Sequence, residues 1–212
     1  MKYKHIVFDI DGTLIDTEYM ILFSLQKTVM QIKNINLGFN ELNFALGIPG
    51  RDALRILEVA DPVEALKIWA VNMKELLHTV IVFDGIKEVL EELKNEKIIL
   101  GIVTSKRKSE YLTDFIPFGI SEYFKTIICA DDTELHKPNS DPLVKYLEKS
   151  GIGSKEVLYI GDSIYDMQCA TAAGIDFGLA LWGCNSENPI EATYILFHPR
   201  EVRSILQSLS SY

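Results

Sequence analysis

The stretch KHIVFDIDGTLIDTE, residues 4–18, decides how the rest of this chain is read. Apolar residues run from Ile6 to Phe8, and two carboxylates, Asp9 and Asp11, stand where that run stops. Ionised carboxylates are costly to desolvate unless a cation meets them. Gly12 and Thr13 follow at once, so the chain turns as the acids appear. Two readings compete: an ordinary strand end with a solvated turn, or two acids held for a metal and a reaction.

Working outward, two textures alternate. Between Asp16 and Thr79 the signals are helical. Residues 17–32, TEYMILFSLQKTVMQI, carry apolar side chains at helical spacing. Residues 61–77, DPVEALKIWAVNMKELL, open with Asp61 as N-cap, Pro62 at the first helical position and Glu64 at the capping-box position. A shorter helical pattern, RDALRILEVA, follows the turn LGIPGR. From Phe83 onward, helical segments alternate with continuous apolar runs: KIILGIVTS, KTIICADD, EVLYIGDS and DFGLALWG. Residues 106–120, KRKSEYLTDFIPFGI, read as helical as far as Pro117. Apolar strands alternating with helices predict an α/β fold, a doubly wound parallel sheet with a Rossmann-like core. Its first strand is residues 3–8, so the helical segment is an insertion. The expected division is a catalytic core at 1–15 and 80–212 and a helical cap at 16–79.

The bulk numbers set limits. The 212 residues are 48% hydrophobic and 24% charged, an ordinary globular balance. With 21 basic and 30 acidic residues the formal charge is −9, which argues against a nucleic-acid or anionic-membrane surface. An anionic substrate would need a metal or a few placed cations to overcome this field. The opening residues show no secretory signal, and the longest apolar runs are too short to span a bilayer. Cys129, Cys169 and Cys184 suggest neither a disulfide framework nor a zinc site. The expectation is a cytoplasmic protein, monomer or homodimer, with no nucleic-acid or membrane partner.

In a doubly wound sheet, ligands bind outside the carboxyl ends of the strands. The residues just after the apolar runs are Asp9 and Asp11; Thr104 and Ser105; Asp131 and Asp132, with Lys137 a short loop later; and Gly161, Asp162 and Ser163. Each alone proves little, because polar residues collect at turns. Together, acids, hydroxyls and a lysine suit a phosphoryl group and a divalent cation.

These motifs in order, DIDGT at 9–13, VTSK at 103–106, HKP at 136–138 and GDSIYD at 161–166, resemble the haloacid dehalogenase-like phosphohydrolases. The likeness spans almost the whole chain, the helical insertion looks like that family's type-one cap, and the nearest branch is that of phosphoglycolate phosphatases and pyrophosphatases. The resemblance implies roles. Asp9 would be the nucleophile that forms an aspartyl-phosphate. Asp11 would protonate the leaving oxygen and then deprotonate water, with its backbone carbonyl on the metal. Thr104 would hydrogen-bond the phosphoryl oxygens, Ser105 and Gly12 would add substrate contacts, and Lys137 would neutralise phosphate charge and orient Asp9. Asp162 would complete the metal's carboxylates, Asp9 and Asp11 supplying the other ligands. Mg²⁺ suits this all-oxygen set. Asp166, one helical turn on, would stand behind, holding Lys137 or metal-bound water.

Bland readings remain beside several of these. Asp166 is also an ordinary first-turn acid. Arg51, in GIPGRDAL, resembles a substrate-contacting cap loop, yet an exposed helix-start arginine reads the same way. Glu18 could face the cleft or simply open a helix. Lys106, Arg107 and Lys108 read as a surface helix start, and Trp69 and Trp182 as core. The expected function is a Mg²⁺-dependent phosphatase acting on a small phosphate monoester. The alternatives are a pyrophosphatase or sugar-phosphate mutase on the same fold and, from another class, a non-catalytic binding or regulatory protein.

Overall fold

Strand β1 (His5–Phe8) is buried along its whole length, and its alternating side chains feed two apolar layers. Ile6 and Phe8 enter one layer and Val7 the other. The computed structural model describes residues 2–208 apart from Glu187. After β1 come β2 (Ile15–Asp16), α1 (Glu18–Lys33), α2 (Phe39–Leu42), α3 (Gly50–Ile56), α4 (Pro62–Leu76) and β3 (Ile81–Val82). Then follow α5 (Ile86–Asn95), β4 (Ile99–Val103), the single turn α6 (Lys108–Glu110), β5 (Phe124–Ile128), α7 (Asp141–Ser150) and β6 (Val157–Gly161). The chain continues through α8 (Ile164–Ala173), β7 (Asp176–Ala180), β8 (Tyr194–Leu196) and α9 (Glu201–Ser208).

The main sheet has six strands in the order β5-β4-β1-β6-β7-β8, all parallel. One face is covered by α5 and α9 through Ile86, Leu90, Leu93 and Val202. The other is covered by α7 and α8 through Leu143, Tyr146, Cys169 and Ala170. Burial on both faces is why the strands read as continuous apolar runs. The expected α/β Rossmann-like architecture is what forms, with one strand more than the apolar runs suggested. β8 has Ile195 about half exposed and lies at the sheet's edge, so it lacks the two-sided burial that gives a strand its signature.

The four helices α1–α4 enclose an apolar cluster of their own, including Leu22, Leu25, Val29, Leu54 and Trp69. Asp61 caps α4 as expected, its Oδ1 accepting from the Val63 and Glu64 amides at 3.1 Å. A polar seam ties α1 to α4. The Trp69 indole donates to Ser24 Oγ at 2.8 Å, and the Asn72 amide donates to Thr28 Oγ1 at 2.9 Å. The two chain crossings into and out of this helical cap lie side by side as the antiparallel pair β2–β3, with Ile15 opposite Val82 and Asp16 opposite Ile81.

Residues 108–118 are helical as expected, but not as one α-helix. After the single turn α6 the chain widens into a π-type turn at Tyr111–Phe115 and a 3-10 turn at Ile116–Phe118. Pro117 has no amide to donate, and in an α-helix its ring would meet the carbonyl four residues back, so the ladder stops. Among the described residues no helix is long and apolar enough to cross a membrane.

Candidate active site

Because β1 and β6 are hydrogen-bonded neighbours, with Phe8 opposite Ile160, the residues that follow them emerge together. From β1 the chain builds outward to β4 and β5, whereas β6 to β8 extend the other way. The crevice between β1 and β6 is therefore the switch point, where side chains from both strand ends converge. One carboxylate oxygen from each of Asp9, Asp162 and Asp166 lies within 4.8 Å of the others. Lys137, only 4% exposed, enters from the loop after β5 and stands 3.0 Å from Asp9 Oδ1 and 2.7 Å from Asp166 Oδ1.

Asp166 serves two structures at once. Its Oδ2 accepts from the Ser163 amide at 3.1 Å and the Ser163 hydroxyl at 2.5 Å, closing the capping box of α8. Its Oδ1 accepts from the Tyr159 hydroxyl at 2.8 Å and faces Lys137. The first-turn acid of the helix is thus also the anchor of the buried lysine.

The electrostatics follow from crowding. Burial pushes Asp9 up to about 7; Lys137 opposes this and Asp166 and Asp11 add to it. Burial also raises the Asp162 carboxyl well above the usual range, helped by Asp166 and Asp9. Burial alone would lower Lys137, but the carboxylates of Asp166 and Asp9 reverse this and hold its ammonium above its ordinary value. More negative charge gathers here than one lysine neutralises. Asp9 Oδ1 and Lys137 Nζ are buried with no aligned hydrogen bond among the described residues, despite their ion-pair distance. Hard oxygens with unused directional capacity and surplus negative charge fit a divalent cation and a phosphoryl group.

The Asp11 carboxylate is not part of this group of three and pairs with another lysine. Its Oδ1 lies 3.0 Å from Lys106 Nζ. Lys106 is 6% exposed, so it is no surface helix start, whereas Arg107 and Lys108 are exposed. Burial alone would lower Lys106, and Asp11, with Asp114 and Glu110, more than offsets this. The surface reading failed because three consecutive basic residues suggest a solvated end, while the turn after β4 directs the first of them inward.

The remaining expected site residues are distributed as follows. Thr104 is buried at the end of β4, and its hydroxyl accepts from the Lys106 amide at 3.2 Å. The Ser105 hydroxyl donates to the cap-loop carbonyl of Gly47 at 2.9 Å, so it contacts the cap directly. Gly12 has φ of +73°, and a Cβ there would lie 2.2 Å from Asp162 Oδ2, so only glycine lets Asp162 approach. Arg51 is exposed on α3 and lines a cleft of about 1170 Å³ between cap and core that also borders Lys137. A smaller chamber of about 80 Å³ adjoins it, bounded by Asp9, Asp11, Ser105 and Lys106 below and by Ile48 and Trp69 of the cap above. Glu18 opens α1 and borders neither space. The sequence gives no role to Tyr159 or to Thr13, whose hydroxyl donates to Asp162 Oδ1 at 2.9 Å, and Lys106 reads there only as surface. The one available signal was a polar group inside or beside an apolar run.

The family profile of haloacid dehalogenase-like hydrolases matches residues 6–180. The chain belongs to that family. Among its relatives is the pyrophosphatase PpaX of Oceanobacillus iheyensis, 30% identical over 200 residues, covering 94% of this chain and 91% of the relative. A second PpaX, from Halalkalibacterium halodurans, is 27% identical over 201 residues, covering 92% and 93%. Among solved structures, a candidate phosphoglycolate phosphatase from Lactobacillus plantarum superposes with a TM-score of 0.87 at 27% identity, covering 97% of this chain and all of that one. A hydrolase from Pseudomonas syringae gives 0.85 at 25% identity, covering 97% and 99%. This haloacid dehalogenase-like hydrolase is accordingly a phosphatase-type enzyme of the phosphoglycolate phosphatase and pyrophosphatase branch.

The raised Asp9 gives a pH prediction. A carboxyl whose pKa is higher folded than unfolded favours the folded state below its unfolded value, and that advantage is lost as pH rises through about 7. A divalent cation must displace the proton to bind. Millimolar MgCl₂ should therefore raise the melting temperature more at about pH 8 than at about pH 5. Equal shifts at both pH values in a thermal-denaturation series would contradict the assignment.

Proposed function

We propose that this chain is a Mg²⁺-dependent phosphatase that hydrolyses a small phosphate monoester through an aspartyl-phosphate on Asp9. The observation that carries the reading is the position of Asp9. It is a 2% exposed carboxylate at a strand end, 3.0 Å from a buried lysine, grouped with Asp162 and Asp166 and opening onto a cap-covered chamber. Asp9, Asp162 and the Asp11 carbonyl would hold the cation, which would neutralise phosphate charge and bring two anions together.

In the first half-reaction an Asp9 oxygen attacks phosphorus, a new O–P bond forms and the bond to the leaving oxygen breaks. Asp11 gives its proton to that oxygen. In the second, Asp11 takes a proton from water, the water oxygen attacks phosphorus, and the O–P bond to Asp9 breaks, releasing phosphate. Lys137 stabilises the charge on the transferring group as a fixed cation. Thr104 supports the phosphoryl oxygens. Asp166 acts through Lys137 rather than on substrate. The helical segment at 16–79 serves as the cap that closes the chamber and limits the leaving group. Lys106 holds the Asp11 carboxylate at the chamber's edge.

A second reading, pyrophosphate hydrolysis by the same steps, is favoured by the PpaX relatives. Comparing kcat/KM for pyrophosphate and phosphoglycolate separates the two.

Two substitutions test this scheme. Asp9→Asn should lower turnover of an aryl phosphate by roughly a thousandfold or more while circular dichroism stays native; appreciable turnover by that variant rules Asp9 out as nucleophile. Lys106→Met should cut kcat by roughly ten- to a hundredfold, because Asp11 loses its partner. A variant with unchanged kcat would show that the Lys106–Asp11 pair is incidental to turnover.

A further inference from the structure

The turn after β7 lies against the first motif. Leu181 donates its amide to Leu196 O at 2.8 Å and Gly183 to Ala180 O at 3.2 Å, which fixes the turn on the sheet. From it the Trp182 indole N–H donates to the Thr13 carbonyl at 3.0 Å. Gly183 packs on Gly12 so closely that a Cβ on Gly183 would sit 1.8 Å from the Gly12 carbonyl oxygen. The same two residues also meet Asp162. The Thr13 hydroxyl donates to its Oδ1, and its Oδ2 occupies the space a Gly12 Cβ would fill. The Gly12–Thr13 turn therefore touches both the Trp182–Gly183 turn and the carboxylate at the end of β6.

We propose that Trp182 and Gly183 are positioning residues for Asp162. They press and hydrogen-bond the Gly12–Thr13 turn into the place from which it holds that carboxylate toward the cation site. The inference rests on the reading of Asp162 as a cation ligand. Thr13 is fully buried, so its carbonyl has no water to turn to if the indole donor is removed. The turn would relax, and the Thr13 hydroxyl would move with it. No contact between Trp182 and substrate is involved, so the role concerns how tightly the site grips a cation, not how fast it reacts once filled.

Trp182→Phe keeps the ring's apolar packing and removes only the donor. The experiment is a Mg²⁺ titration of the melting temperature of substrate-free protein, run beside the Mg²⁺ dependence of turnover, for wild type, Trp182→Phe and Gly183→Ala. The Mg²⁺ concentration needed for a given rise in melting temperature above the metal-free value should increase about fivefold in Trp182→Phe, the equivalent of one hydrogen bond. It should rise further in Gly183→Ala, where backbone has to move. The half-saturating Mg²⁺ for activity should rise in parallel, with kcat at saturating Mg²⁺ nearly unchanged in Trp182→Phe. If both variants melt lower without Mg²⁺ but follow the wild-type titration curve, the turn is packing only and the proposal fails. If wild type itself shows no Mg²⁺ shift, the cation reading of Asp162 fails, and this inference with it.

Discussion

A lysine buried between two carboxylates governs the rest of this structure. Lys137 lies 2.7 Å from Asp166 and 3.0 Å from Asp9, with almost no access to solvent. Deleting one partner of such an arrangement leaves an uncompensated buried charge, which typically costs about 3–5 kcal/mol. The three residues come from β1, the loop after β5 and the first turn of α8, so the arrangement ties three distant parts of the chain to one point. Asp166 strengthens this by also closing the capping box of α8, which links the orientation of a helix to the position of the lysine. Burial, reinforced by the neighbouring carboxylates, raises both the Asp9 and the Asp162 carboxyl above the usual range. Three carboxyl groups and one ammonium beside a small chamber would suit a cationic and a phosphoryl guest.

The cap meets that site at few but directional contacts. Ser105 donates to Gly47 O, and the Tyr165 hydroxyl lies 3.5 Å from Phe44 O, so residues from the β4 and β6 ends both address the cap loop. The adjacent chain crossings at β2–β3 form a short two-stranded link on which the cap connects to the core. Apolar cap residues, Ile48 and Trp69 among them, bound the chamber beside Asp9. Packing and chemistry therefore share residues, and Ser105 belongs to both.

Much of this was legible in the sequence, for physical reasons. Strands buried on both faces leave continuous apolar runs, and Asp9, Thr104 and Asp162 stand where those runs end. Asp61 and Pro62 announce α4 because capping is local chemistry. What stayed hidden depends on three-dimensional approach. Lys106 sits in a basic triplet that looks solvated, and only the turn after β4 sends it to Asp11. Tyr159 reads as one more apolar strand residue, although its hydroxyl holds Asp166. The pair β2–β3 is two residues on each side, too short for any period to show. Trp182 reads as core, and its indole donor finds Thr13 across more than half of the chain.

The central claim is that the β1 and β6 carboxylates converge on one divalent cation beside Lys137. The most direct measurement is anomalous diffraction from crystals grown with Mn²⁺ in place of Mg²⁺. The account predicts a single strong peak at about 2.1 Å from one oxygen each of Asp9 and Asp162 and from the Asp11 carbonyl. A peak elsewhere, or none beside an ordered Asp9 at saturating Mn²⁺, would contradict it.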